Sequence, residues 1–132
     1  MRGPAPREQR QLVLHVEDNL SNRRLIQLVV RQRPELTLVE ADDGTTGLEL
    51  ARTMSPALVL LDLRLPGLSG EDVLKRLRAD PATARLRIVV ISAEARPREA
   101  SRLLGAGADG YLVKPLQISD VLDVLDEIGP DA

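Results

Sequence analysis

The chain has 132 residues, 43% of them apolar, with 18 basic against 20 acidic side chains, no cysteine, and one tyrosine in the absence of phenylalanine and tryptophan. That length supports one globular domain with a core large enough to dispense with disulfides, and the missing cysteine excludes thiol catalysis and thiolate metal sites. A net charge of −2 with almost no stacking rings argues against a nucleic-acid platform; the longest apolar run, 57–61, is too short for a bilayer and the Arg- and Pro-rich start is no secretory signal, so a reducing cytoplasm is the expected compartment.

In chain order, short apolar runs alternate with longer stretches of helical period. Residues 12–16 read as a first strand and 21–33 as a first helix, whose inward stripe is Leu25, Ile26, Val29 and Val30. A second pair follows at 36–39 and 45–53, and a third at 57–61 and 70–78, with Val73, Leu74 and Leu77 facing inward. The fourth pair is 88–91 and 97–106, the fifth 111–113 and 118–128, the last helix presenting Val121, Leu122, Leu125 and Ile128. Ser69, Pro34, Ser55-Pro56 and Asp80-Pro81 supply caps and breakers. The third and fourth strands are almost unbroken branched-aliphatic runs, the pattern of strands buried on both faces. Five strand-then-helix units predict an α/β fold, a doubly wound parallel sheet with helices on both faces. Residues 1–10 and 129–132 are expected to be flexible ends around a single domain at 11–128.

In such sheets ligands bind beyond the carboxyl ends of the strands. Strand one ends in Glu17-Asp18, strand three in Asp62, strand four in Ser92 and strand five in Lys114-Pro115. Singly, each residue could merely stop a strand, cap a helix or meet solvent. Together they place three carboxylates, a hydroxyl and an ammonium at one sheet edge. Three crowded acids stay ionised only beside a cation, and an oxygen-only ligand set suits a hard ion such as Mg²⁺. Phosphoryl transfer to a carboxylate needs this set, with Asp62 as the natural nucleophile and Glu17 and Asp18 holding the metal.

The segments Val16-Glu17-Asp18-Asn19, Leu60-Leu61-Asp62-Leu63-Arg64-Leu65-Pro66-Gly67, Ile91-Ser92-Ala93 and Lys114-Pro115, with their spacing, resemble those of bacterial response-regulator receiver domains. The resemblance covers about residues 11–128 and implies the strand order 2-1-3-4-5. It implies that Asp62 accepts a phosphoryl group from a histidine kinase or histidine phosphotransfer protein. Mg²⁺ or Mn²⁺ would be held by Asp18, Asp62 and the backbone carbonyl of Arg64, with Glu17 on a metal-bound water. Lys114 would pair with the phosphoryl group through a cis Lys114-Pro115 bond, and Ser92 would bond a phosphoryl oxygen. Tyr111 matches the family's switch aromatic, which couples Ser92 to a partner surface on the fourth helix, fifth strand and fifth helix. Ser92 stands where threonine is commoner.

Arg64 and Glu94 lie two residues beyond Asp62 and Ser92, and are expected to pair across the crevice and tune the lifetime of the acyl phosphate. The run Gly105-Ala106-Gly107-Ala108-Asp109-Gly110 fits a dinucleotide pattern but follows a helix and precedes a strand, the reverse of what pyrophosphate binding needs, so it reads as a helix stop and turn. His15 reads as a satisfied core histidine, and Arg23, Arg24 and Arg31 as a solvated helix face. A receiver-like module that works without phosphorylation, and a haloacid-dehalogenase-type phosphatase, are the alternatives. The first has no need of three repelling acids, and the second carries Asp-x-Asp where this chain has Asp62 and Arg64. With nothing after the fifth helix, the expectation is a stand-alone regulator or relay, or a receiver cut from a larger protein, with an unnamed downstream protein target.

Overall fold

The computed structural model describes residues 11–94 and 96–128; the two ends expected to be flexible lie outside them. The strands are β1 (Gln11–Val16), β2 (Leu36–Ala41), β3 (Leu58–Asp62), β4 (Ile88–Ser92) and β5 (Gly110–Val113). The helices are α1 (Leu20–Val30), α2 (Gly44–Met54), α3 (Gly70–Ala79), α4 (Pro97–Gly105) and α5 (Ile118–Asp126). All strand pairs are parallel, in the order β2-β1-β3-β4-β5. The switch in strand direction of growth at β1 and β3 opens a crevice above their carboxyl ends.

Two cores flank the sheet. Leu14, Val16, Leu61 and Val90 meet α2, α3 and α4 through Leu48, Val73, Leu74, Leu77 and Leu103 on one face. On the other, Val13, Leu58, Leu60 and Ile91 meet α1 and α5 through Ile26, Val29, Val121 and Leu125. Every residue of β3 and β4 is buried, as their unbroken apolar sequences require.

Helix α1 stops at Val30, three residues before the expected end. Pro34 pushes Arg33 out of helical backbone geometry, and the chain leaves through two tightened turns, Gln32 N–H to Val29 O and Arg33 N–H to Val30 O. The glycine-rich run after α4 is the stop and turn expected of it. Gly107 takes a φ of +118°, outside the range comfortable for a residue with a side chain.

Candidate functional site

Strand parity decides which side chains meet. Glu17 falls in step with Val13, Asp62 with Leu60 and Lys114 with Leu112, residues of the core beneath α1 and α5, so these three share one side of the sheet. Ser92 falls in step with Val90 on the opposite side, where Tyr111 also packs. Backbone bonds continue past the strand ends: Glu17 N–H to Ala41 O at 2.9 Å, Leu63 N–H to Ile91 O at 3.1 Å and Lys114 N–H to Ser92 O at 2.8 Å. The ladders thereby fix the polar residues against one another.

Asp62 is 1% exposed. The Lys114 ammonium donates to its Oδ2 at 2.5 Å, and the Arg64 N–H donates to its Oδ1 at 2.7 Å. The Lys114-Pro115 peptide is cis, as expected. Glu17 is wholly buried, with Oε1 accepting from the Asn22 side-chain amide at 3.0 Å and Oε2 from the Asn19 N–H at 3.3 Å. Burial, and then a hydrogen bond and charge repulsion from Asp62, push its carboxyl up to about 7. Ser92 Oγ accepts from the Glu94 N–H at 3.1 Å, which leaves the hydroxyl proton free to donate elsewhere. A cavity of about 250 Å³ opens over Asp62, Ser92 and Lys114 and is rimmed by Arg64, Glu94 and Arg102.

With both carboxyls ionised, Asp62 and Glu17 leave an excess of negative charge against the one Lys114 ammonium, and every acidic donor is oxygen. That chemistry fits a hard divalent cation. Asp18 is exposed in the loop after β1, and among the described residues no three acidic or imidazole side chains already converge as ligands. The expected pairing of Arg64 with Glu94 is also absent from the ion pairs of the described residues. Both side chains are exposed. Their backbone N–H groups, rather than their charges, are tied to the site. Tyr111 is half-buried, and its Oη is buried with no hydrogen-bond partner. His15 is wholly buried and both ring nitrogens lack a partner, so it is not the satisfied core histidine expected. Arg23 is not simply solvated, since it pairs with Glu40 at 3.1 Å.

Two supports of the site were not recognised in the sequence. Gly70 opens α3, and a Cβ there would sit 2.0 Å from Asp62 O and 2.6 Å from Leu63 Cα. The helix start is therefore seated directly on the backbone that carries Asp62. A glycine as first residue after the Ser69 cap, where most residues serve better, was the available signal. Asn22, which holds Glu17, gave no signal beyond its place in the first turn of a helix.

The fold and the crevice define a phosphoacceptor of the doubly wound class, and comparison with known proteins names the family. Residues 13–126 match the response regulator receiver domain, and the chain belongs to that family. The nitrate/nitrite response regulator protein NarL of Escherichia coli K12 is 36% identical over 114 residues, covering 86% of this chain and 52% of NarL. The chain thus spans about half the length of that relative. The chemotaxis protein CheY-3 of Vibrio cholerae serotype O1 is 34% identical over 116 residues, covering 88% of this chain and 89% of CheY-3. The receiver domain of the sensor histidine kinase PA1611 from Pseudomonas aeruginosa PAO1, solved with magnesium in its active site cleft, superposes with a TM-score of 0.79 at 28% identity, covering 89% and 96% of the two chains. This chain is a receiver domain of two-component signalling, a phosphoacceptor rather than a classical enzyme. No described helix is long and apolar enough to cross a membrane.

Proposed function

We propose that Asp62 is the phosphoacceptor and that Glu17, Asp18, Asp62 and the Arg64 carbonyl hold Mg²⁺ or Mn²⁺. The observation that carries this is Asp62 itself, a carboxylate buried at the end of β3 with the Lys114 ammonium at 2.5 Å and Glu17 beside it. A bound divalent ion would neutralise the crowded acids and the incoming phosphoryl oxygens. An Asp62 oxygen attacks the phosphorus of a phosphohistidine on a histidine kinase or histidine phosphotransfer protein. The new bond is O–P, the P–N bond breaks, and the imidazole leaves with its electron pair and takes a proton from solvent. Lys114 turns from the carboxylate to a phosphoryl oxygen, and the free Ser92 hydroxyl proton is donated to another. Drawing Ser92 inward moves the loop after β4 and gives the Tyr111 ring a second place to pack. A downstream protein would read that change on α4, β5 and α5. No nucleic acid or bilayer is needed for any step.

Incubation with acetyl phosphate followed by intact-mass analysis should give a single phosphate adduct that requires Mg²⁺. An adduct that persists in Asp62→Asn would overturn the assignment. Beryllofluoride with Mg²⁺ should alter Tyr111 emission, the only tyrosine signal in the chain, in the wild type and not in Asp62→Asn; equal responses would remove Tyr111 from the switch.

A further inference from the structure

The start of α1 departs from the usual way of ending a helix. Asn19 is the N-cap, and its side chain accepts from the Asn22 N–H at 3.0 Å. In a capping box the third helical residue reaches back to accept the N–H of the cap residue, so that two orphan donors are satisfied reciprocally. Here that acceptor is Glu17 Oε2, which lies two residues before the cap in the chain and takes the Asn19 N–H at 3.3 Å. The third helical residue, Asn22, is released from the task. Its side-chain amide instead donates to Glu17 Oε1 at 3.0 Å.

Glu17 is wholly buried beside Asp62, which shares a hydrogen bond with it and repels its charged form. The Asn22 and Asn19 donors grip one oxygen each, which fixes the plane of the carboxyl group beside Asp62. Only a neutral donor at position 22 achieves this. A carboxylate there would repel Glu17, an apolar side chain would leave Oε1 unpaired, and a lysine would neutralise the charge that a cation needs.

We infer that Asn22 is a positioning residue for the divalent cation, acting through Glu17. The inference rests on the reading of Glu17 as a metal-holding residue given above. Groups that orient metal-binding side chains typically contribute about 10- to 100-fold in metal affinity. The low end is expected here, because the Asn19 donor survives when Asn22 is changed.

Calorimetric titration of the full chain with MgCl₂ tests this without any phosphorylation. Asn22→Leu, nearly the same size but without a donor, should weaken Mg²⁺ binding about tenfold, and the melting midpoint in EDTA reads separately what the unpaired Glu17 oxygen costs the fold. In a Glu17→Gln background the same Asn22→Leu change should alter affinity less than about twofold, since interacting residues are not additive. Mn²⁺ titration read by water proton relaxation covers affinities too weak for calorimetry. Unchanged Mg²⁺ affinity in Asn22→Leu overturns the inference, and so does an equal loss in both backgrounds, which would mean Asn22 acts by another route. A lower melting midpoint in EDTA with intact Mg²⁺ affinity would make Asn22 a helix-end support only. If the wild type itself binds no Mg²⁺, the metal reading of Glu17 fails and not this inference alone.

Discussion

His15 and Glu17 are wholly buried two residues apart, and the fold displaces their proton affinities in opposite senses. Burial lowers His15 from 6.5 to about 4, against the opposing fields of Glu40 and Asp62 and with the help of Arg23 and Lys114. Burial and Asp62 raise Glu17 from 4.5 to about 7. Between about pH 4.5 and 6.5 the folded chain therefore carries its proton on Glu17 with His15 neutral, whereas the unfolded chain carries it on His15 with Glu17 ionised. Each state holds one proton across the pair, so wild-type stability in EDTA should be nearly flat over that interval. The other displaced acids, Asp43, Glu71, Asp80 and Asp126, are all lowered and lose their contribution only at more acid pH. Removing either partner exposes the other. In His15→Leu only Glu17 remains, the folded state binds more protons, and stability falls as pH rises. In Glu17→Gln only His15 remains, the unfolded state binds more protons, and stability is lost as pH falls. Each slope should approach about 1.4 kcal/mol per pH unit, or about 3 kcal/mol over two pH units. Urea unfolding followed by far-UV circular dichroism at half-unit pH steps in EDTA reads both slopes. Flat profiles in both variants, or slopes of the same sign, would refute the compensation.

The remaining expectations concern parts of the molecule that hold the site in place. Arg78 donates to Gly107 O, Ala84 O, Leu86 O and Asp109 Oδ2 at 2.6–3.0 Å, so Arg78→Met should cost about 2–3 kcal/mol, seen as a lower thermal midpoint that Arg78→Lys does not restore. Gly70→Ala forces a Cβ into Asp62 O at 2.0 Å and should both lower the midpoint and slow phosphorylation, whereas Gly105→Ala, with nothing within 4 Å, should leave both unchanged or raise the midpoint slightly. Because Arg64 and Glu94 make no ion pair, Arg64→Ala and Glu94→Ala should change the dephosphorylation rate by factors that multiply in the double variant, with unfolding midpoints nearly unmoved; strong non-additivity would mean that the two side chains do meet.

What could be read from the chain alone divides along a physical line. Strands β3 and β4 announce themselves because burial on both faces demands unbroken apolar runs, and Asp62 and Ser92 are conspicuous because a polar residue ends each run. Parallel pairing then brings those ends to one edge whatever the loops do, so Glu17, Asp62, Ser92 and Lys114 follow from periodicity and connection rules. Side-chain direction beyond a strand end does not follow. The position two residues past Asp62 fixes where Arg64 sits in the loop but not where its guanidinium points, and the same holds for Glu94 and for Asp18, which the loop turns to solvent. Contacts between elements distant in sequence are equally hidden: Gly70 against Asp62 O, or Arg78 stapling α3 to the turn before β5. His15 shows the limit most clearly. A histidine in a central strand is expected to find a partner, since burying an unpaired polar group is unfavourable. This one has none. The unpaired ring lies in the strand that delivers Glu17 to Asp62, and the same burial that keeps the ring neutral keeps that carboxyl protonated, so the two cancel in proton count and not in cost. That compensation belongs to the site as a unit, and no single residue in the sequence displays it.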